Sequence, residues 1–180
     1  IRLFLKLNPT YKVIIAPHNV NSPNIERIQS LLDYPSVRYT KYKEYKGNRV
    51  LILDTIGHLT SAYQYADYAL VGGGFSGSLH NILEPAVYGL PVFFGPVFHK
   101  FPEAQSFIDG GIGFVVENAE ELNQIINALH SQQELKQKIE ALLVRNGFTS
   151  SGIFVMDGSS RSTHGNAYFT GIGKNKRIVF

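Results

Sequence analysis

Cysteine is absent from all 180 residues, which excludes disulfides and cysteine-based zinc sites and leaves the redox compartment unmarked. No apolar run approaches the roughly 18–20 residues that cross a bilayer as a helix. The opening Ile1-Arg2-Leu3-Phe4-Leu5-Lys6 has no long apolar core of the kind a signal peptide carries. Internal repeats and coiled-coil heptads are missing too, so solenoid and long-coil architectures drop out. Neither sign of charge dominates: 17 Lys and Arg against 14 Asp and Glu leave a formal +3. That balance suits an anionic ligand or a membrane surface, but not the concentrated basic stripe of a nucleic-acid binder. The nearest approach to such a stripe is Lys41, Lys43, Lys46 and Arg49, interleaved with Tyr39, Tyr42 and Tyr45. Glu44 interrupts it and Gly47-Asn48 reads as a turn, so the segment is expected to be solvated and close to a sheet edge.

With 44% hydrophobic and 17% charged residues, the chain falls among globular proteins and is long enough for one well-packed domain. It starts at Ile1, inside an amphipathic pattern with no cap, and reads as a piece of something longer. Apolar strands are expected at Lys12–Ala16, Ser36–Tyr39, Val50–Leu53, Tyr68–Val71, Pro91–Phe94 and Gly113–Val116. Between them, helices are expected from Ser22, around Leu59–Tyr63, over Leu79–Tyr88 and over Phe101–Ile108. Two more should follow, at Ala119–Leu129 and Gln133–Val144. Short apolar strands alternating with helices predict an α/β fold, a doubly wound Rossmann-like parallel sheet covered on both faces. Ligands of such sheets bind at the carboxyl ends of the strands. This domain is expected to occupy residues 1–146. From Gly147 to Phe180 the character changes to flexible Gly/Ser signals at Ser150–Gly152, Gly158–Ser160 and Gly171–Gly173, broken by β-like pieces such as Ile153–Val155. No role for this tail follows from its residues.

The richest stretch runs from Asp67 to Glu84, where a buried strand ends in Gly72-Gly73-Gly74-Phe75-Ser76-Gly77 and leads to His80, Asn81 and Glu84. Glycine permits positive φ and lets a ligand approach the main chain. If the helix begins at Leu79, its free N–H groups can meet phosphate or carboxylate, and His80, Asn81 and Glu84 share one face. Glu84 can accept hydrogen bonds from the vicinal hydroxyls of a ribose. Blander readings stand beside these: the glycines as a tight strand-helix turn, and His80 and Asn81 as capping residues. Glu84 lies among Ile82, Leu83, Pro85 and Ala86, where an acid is costly unless it has a partner or faces a cleft. His80 and Glu84 lack a third ligand at suitable spacing, so no metal is expected. Gly72, Gly74 and Gly77 also spell G-x-G-x-x-G. A dinucleotide site, however, needs an acid roughly 20 residues further on, and Phe94-Gly95-Pro96-Val97-Phe98-His99 offers none.

At these residues the chain resembles the 3-deoxy-D-manno-octulosonic acid (Kdo) transferases, in the C-terminal half of their two-domain GT-B fold. The resemblance is carried by Val71-Gly72-Gly73-Gly74-Phe75, His80-Asn81-Ile82-Leu83-Glu84-Pro85-Ala86, Gly89-Leu90-Pro91-Val92-Phe93-Phe94-Gly95-Pro96 and Lys100-Phe101. Ile15-Ala16-Pro17-His18, Asp54-Thr55-Ile56-Gly57 and Tyr65-Ala66-Asp67 match in the same order. The match covers roughly residues 8 to 130.

The resemblance implies binding of CMP-Kdo, with no cofactor and no nucleic-acid partner, in a parent enzyme that transfers Kdo to lipid A precursor in lipopolysaccharide biosynthesis. It places that parent at the cytoplasmic face of the bacterial inner membrane, with inversion at the anomeric carbon. By position, Glu84 would hold the ribose, and Gly73, Gly74, His80 and Asn81 would surround the phosphate and the Kdo carboxylate. Pro17, His18, Ile56 and Gly57 would lie near the cytidine, and Lys100 would offer an anion contact. The general base and the acceptor surface belong to the family's N-terminal domain, so this half alone is expected to bind donor weakly and catalyse nothing. His58 stands where many family members have Glu, and residues 147–180 depart from the family's returning helices. A non-catalytic nucleotide- or anion-binding module, or the donor domain of another GT-B nucleotide-sugar transferase, remain alternatives.

Overall fold

A computed structural model describes residues 1–145, 153–154, 168–170 and 177–179. The chain divides into two units, Ile1–Asn123 and Gln124–Phe180. In the first, helix α1 (Arg2–Leu7) precedes strand β1 (Val13–Ile15), helix α2 (Ser22–Ser30) and strand β2 (Ser36–Arg38). A 3-10 stretch, Tyr39–Glu44, leads to β3 (Val50–Ile52), short helix α3 (Leu59–Ala62), β4 (Ala69–Val71) and α4 (Leu83–Val87). The order continues with β5 (Val92–Phe94), α5 (Pro102–Asp109), β6 (Gly113–Val115) and α6 (Ala119–Arg145).

All strands of the first unit pair in parallel, in two three-stranded sheets ordered β1-β3-β2 and β4-β5-β6. Val50 faces Val13 on one side and Ser36 on the other. Val92 lies between Ala69 and Gly113. Each sheet has its own apolar cluster. Leu5, Ile25, Val50 and Ile52 pack over the first. Val71, Leu79, Ile82, Val92, Phe94, Phe98 and Ala104 pack over the second. Phe93 points the other way, its ring stacked 5.3 Å from Phe114 and meeting Tyr68 edge-on at 6.0 Å. The central strand β5 is therefore buried on both faces, as expected of a doubly wound sheet. Strands β1 and β4 differ: Ile14 is 39% and Leu70 50% exposed, so these strands bury one face only. The expectation of cover on both faces holds for β5 and fails for β1 and β4.

The expected strands appear as read, each a residue or two shorter, because their runs of Val, Ile, Leu and Phe are bounded by turns. Asn21 caps α2, its side chain accepting from Asn24 N at 3.0 Å, one residue before the expected start. Two helices need correcting. The helix expected over Leu79–Tyr88 covers only Leu83–Val87. Pro85 explains the shortening, since its ring and missing N–H are tolerated in a first turn but break a helix that would run back through Asn81. Gly89, at φ +72°, closes the same helix. The two helices expected at Ala119–Leu129 and Gln133–Val144 form one, α6, because no Gly or Pro interrupts Ala119–Arg145. Its Ser131 hydroxyl donates back to Asn127 O at 2.9 Å.

Lys41, Tyr42, Lys43 and Lys46 are exposed, as expected for a solvated segment, and Gly47 turns at φ +78°. Arg49 differs from its neighbours. It donates inward to the carbonyls of Leu5, Asn8 and Tyr11 and lies 5.2 Å from the Tyr34 ring centroid, tying α1 to the start of β3.

In the second unit, β9 (Arg177–Val179) pairs in parallel with β7 (Ile153–Phe154) and antiparallel with β8 (Tyr168–Thr170). The β-like reading of Ile153 and Phe154 matches β7. The Gly/Ser signals read at Ser150–Gly152, Gly158–Ser160 and Gly171–Gly173 lie outside the described residues.

Candidate functional site

Parallel strands leave all their carboxyl ends on one edge of a sheet, and most of the singled-out residues sit in the loops that follow those ends. Pro17 and His18 follow β1, while Asp54 to His58 follow β3. Gly72 to Ile82 follow β4, and Gly95 to Lys100 follow β5.

The loop after β4 is a tight, internally bonded turn. Ser76 N and Ser78 N both donate to Gly73 O at 3.0 Å, and His80 N returns to Gly72 O at 3.0 Å. Gly73 has φ +83°, and a Cβ there would stand 1.9 Å from the Ser78 carbonyl oxygen. Gly74 is packed against Gly95, where a Cβ would meet Gly95 N at 2.7 Å, and Val97 N donates to Gly74 O at 2.8 Å. These two glycines thus lock the loop after β4 to itself and to the loop after β5. The tight-turn reading is correct for them, whatever ligand the turn also meets.

Above this turn stands His80, exposed, with its ring against Gly72. The His18 ring lies 5.7 Å away across the gap between the loops after β1 and β4. The fold therefore brings together two residues that are 62 positions apart in sequence.

The helical face expected for His80, Asn81 and Glu84 does not exist, because α4 starts at Leu83. Asn81 precedes it and bridges its first turn: Oδ1 accepts from Leu83 N at 2.9 Å while Nδ2 donates to Glu84 Oε1 at 3.1 Å. Asn81 thus makes an Asx turn into α4, whose N-cap residue Ile82 has no side-chain cap bond, so the capping expected of Asn81 is not what it does. Glu84 is half-buried, with its carboxylate between the exposed Asn81 and Thr60. Its second oxygen, Oε2, meets the Thr60 hydroxyl of α3 at 3.5 Å. Tyr63 packs beside this group, 6.0 Å from the Tyr88 ring. Burial pushes the Tyr63 phenol above its ordinary pKa and the Glu84 charge adds to the rise, so Tyr63 stays neutral there.

The loop after β3 is braced from both ends. Asp54 accepts from the Thr40 backbone N–H at 2.9 Å and from the Thr40 hydroxyl. Burial opposes the charge, but these two bonds, its own backbone amide and Arg38 outweigh burial and hold the carboxyl below the usual range. Because the folded pKa is depressed, this stabilisation is complete above the unfolded pKa of about 3.9 and is lost as pH falls through the lower folded value. Urea titrations of the wild type and Asp54→Asn between neutral and acid pH should show curves that differ at pH 7 and converge in acid. Parallel curves would contradict the bracing. Beyond Asp54, Ile56 is 85% exposed and Gly57 sits at φ +87° in open space. His58 hydrogen-bonds Thr55 Oγ1 through Nδ1 at 2.9 Å and packs 4.9 Å from the Tyr39 ring.

Pro17 lies beside His18, half-buried, and Lys100 is exposed in the turn before α5. The structure thus brings His18 to His80, and Asn81 to Glu84, while Gly72 and Gly73 form the floor beside His80 and Gly74 packs on Gly95 instead. Ile56 and Gly57 stand in the loop after β3 and Lys100 in the loop after β5. Sequence reasoning missed Thr60. Its only signal was a polar residue on α3, three positions after Gly57 and inside the matched segment. Among the described residues no group of three His, Asp or Glu is placed to hold a metal ion.

Comparison with known proteins decides the lineage of this arrangement. The 3-deoxy-D-manno-octulosonic acid transferase of Aquifex aeolicus (strain VF5) is 30% identical over 142 residues, which is 76% of this chain and 39% of that protein. The C-terminal CMP-Kdo binding domain of WaaA from Acinetobacter baumannii superposes with a TM-score of 0.62 at 23% identity, covering 77% of this chain and 75% of that one. The α/β unit is similar to the C-terminal part of the Kdo transferases. Its fold is that of a GT-B C-terminal domain, an α/β fold with parallel sheets flanked by helices. The chain spans about two fifths of the Aquifex Kdo transferase.

The remainder has a different likeness. The model of peptidase family M48 matches residues 129–180, beginning inside α6 and so earlier than the change of character read at Gly147. CAAX prenyl protease 1 of Saccharomyces cerevisiae is 41% identical over 91 residues, half of this chain and 14% of that protein. Joined to the unit that resembles Kdo transferases is thus a segment similar to part of a peptidase, which accounts for the departure of the tail from the returning helices of those enzymes.

Proposed function

We propose that the first unit is the donor side of a Kdo transferase, and that it binds CMP-Kdo at the carboxyl ends of its parallel strands. One observation carries the reading: Glu84 stands on α4 with both carboxylate oxygens turned to polar groups, beside a glycine turn and the His18–His80 pair. In that setting Glu84 accepts the vicinal hydroxyls of the cytidine ribose. Gly73, Gly74 and the imidazoles of His18 and His80 face the phosphate and the Kdo carboxylate. Asn81 acts on the donor through Glu84, and Pro17, Ile56 and Gly57 line the cytidine side, with Lys100 as an outlying cation. The name of the Acinetobacter domain supports this reading by likeness of fold, and the Aquifex enzyme by sequence.

The parent protein would transfer Kdo to a lipid A precursor at the cytoplasmic face of the inner membrane, with the acceptor surface and the general base on its other domain. GT-B chemistry needs both halves, so this unit alone binds and does not transfer. Calorimetric titration of CMP into the full chain, with UMP and GMP as competitors, tests the reading. CMP should bind and the other two compete poorly. Equal competition by UMP would point to another nucleotide-sugar transferase, and no binding of any of the three would refute a donor site.

A further inference from the structure

A carboxylate offers about four lone-pair sites, two on each oxygen. In Glu84, Asn81 Nδ2 occupies one site on Oε1 and the Thr60 hydroxyl approaches Oε2. One site on each oxygen is left, which is what a pair of vicinal hydroxyls requires. The two protein partners come from opposite directions. Asn81 is fixed at the mouth of α4 by its bond from Leu83 N, and Thr60 stands on α3, a separate element after β3. A glutamate held at one oxygen only can still swing about its side-chain torsions, and stopping that swing on binding costs conformational entropy. Thr60, already within 3.5 Å of Oε2, narrows that swing and lowers the cost.

We propose that Thr60 is a positioning residue that orients Glu84 for a ribose, and so makes this site select ribonucleotides over deoxyribonucleotides. The proposal rests on the donor-site reading above and gives Thr60 a role that reading does not assign. The 3.5 Å contact is long for a hydrogen bond, as such contacts often are before ligand binds, and it shortens on closure around the pentose. Thr60 is exposed and its side chain enters neither apolar cluster. Substitutions there change the polar contact without opening a cavity.

The full chain and its Thr60→Val and Thr60→Ser variants would be titrated calorimetrically with CMP and with 2′-deoxy-CMP, which lacks one of the vicinal hydroxyls. Wild type should prefer CMP by about tenfold, the scale of one hydrogen bond to a charged group. Thr60→Val, close in shape and without the hydroxyl, should weaken CMP by about five- to tenfold and leave 2′-deoxy-CMP within about twofold, so that the preference collapses. Thr60→Ser should restore it. A merely structural role for Thr60 would weaken both ligands together. That result, an unchanged preference in Thr60→Val, or failure of Thr60→Ser to rescue, overturns the assignment. These outcomes leave the donor site standing, since wild type still binds CMP. Wild type that binds no CMP removes the donor site, and this inference with it.

Discussion

Glu84→Ala is expected to abolish measurable CMP binding, or weaken it by about 100-fold or more, while barely changing the stability of the chain. The two halves of that expectation come from different physics. Hydrogen bonds to a charged acceptor are worth about 1.5–3 kcal/mol each, and a ribose gripped through two hydroxyls loses both when the carboxylate goes. Stability has little at stake, because Glu84 is half-buried and its partners Asn81 and Thr60 are exposed. Water replaces a lost partner at such a site, and the change should stay within about 1 kcal/mol. Glu84→Gln separates charge from shape: it keeps the side chain in place but turns one acceptor into a donor, and its affinity should fall between the other two. Calorimetry against CMP and thermal melts on the same samples make the check. Unchanged affinity in Glu84→Ala would refute the central role given to this residue, and a large drop in melting temperature would show that it holds the fold instead.

Much of the fold was legible because a strand buried in a parallel sheet leaves a strong mark. Val50-Leu51-Ile52 and Val92-Phe93-Phe94 are uninterrupted apolar runs between turn residues, and both are strands. The failures have identifiable causes. Pro85 was present in the sequence, and its rule against an interior helix position shortens α4 to Leu83–Val87. Apolar periodicity across Leu79–Tyr88 outweighed it in the reading because Leu79 and Ile82 are indeed core residues, buried from a turn rather than from a helix. Exposure of Ile14 and Leu70 was illegible for another reason, since an apolar run does not say how many faces of its sheet are covered.

The candidate site divides in the same way. Asn81 and Glu84 are near in sequence and their pairing was within reach, although through an Asx turn and not a shared helical face. His18 meeting His80, and Thr60 meeting Glu84, depend on which strand ends lie side by side, and that is a property of the assembled sheets. The tail shows a further limit. Its residues announced a change of character but no chemistry, and its similarity to peptidase family M48 came from comparison alone.

Gly73→Ala should be the most damaging single change in the glycine turn, and comparison with Gly57→Ala shows why. Both glycines have positive φ, +83° and +87°, so alanine at either pays the left-handed backbone penalty of about 1–2 kcal/mol. At Gly57 nothing lies within 4 Å of the added carbon, and that penalty is the whole cost. At Gly73 the carbon would stand 1.9 Å from the Ser78 carbonyl oxygen, which itself lies in the turn that receives Ser76 N and Ser78 N at Gly73 O. Backbone cannot swing aside as the end of a flexible side chain does, so the turn must open. The expected loss is about 4 kcal/mol or more, in the range where single substitutions are exceptional. For a chain of this length that is a fall in melting temperature of roughly 8–16 °C. Gly74→Ala tests the same lock from its other side, with Gly95 N 2.7 Å from the new carbon at a backbone conformation alanine accepts, so its cost is steric alone. Urea denaturation of the three variants should rank them Gly73, Gly74, Gly57 from most to least destabilised. If Gly73→Ala costs no more than Gly57→Ala, the turn is not held as described. His80 then loses the floor that keeps its ring across from His18.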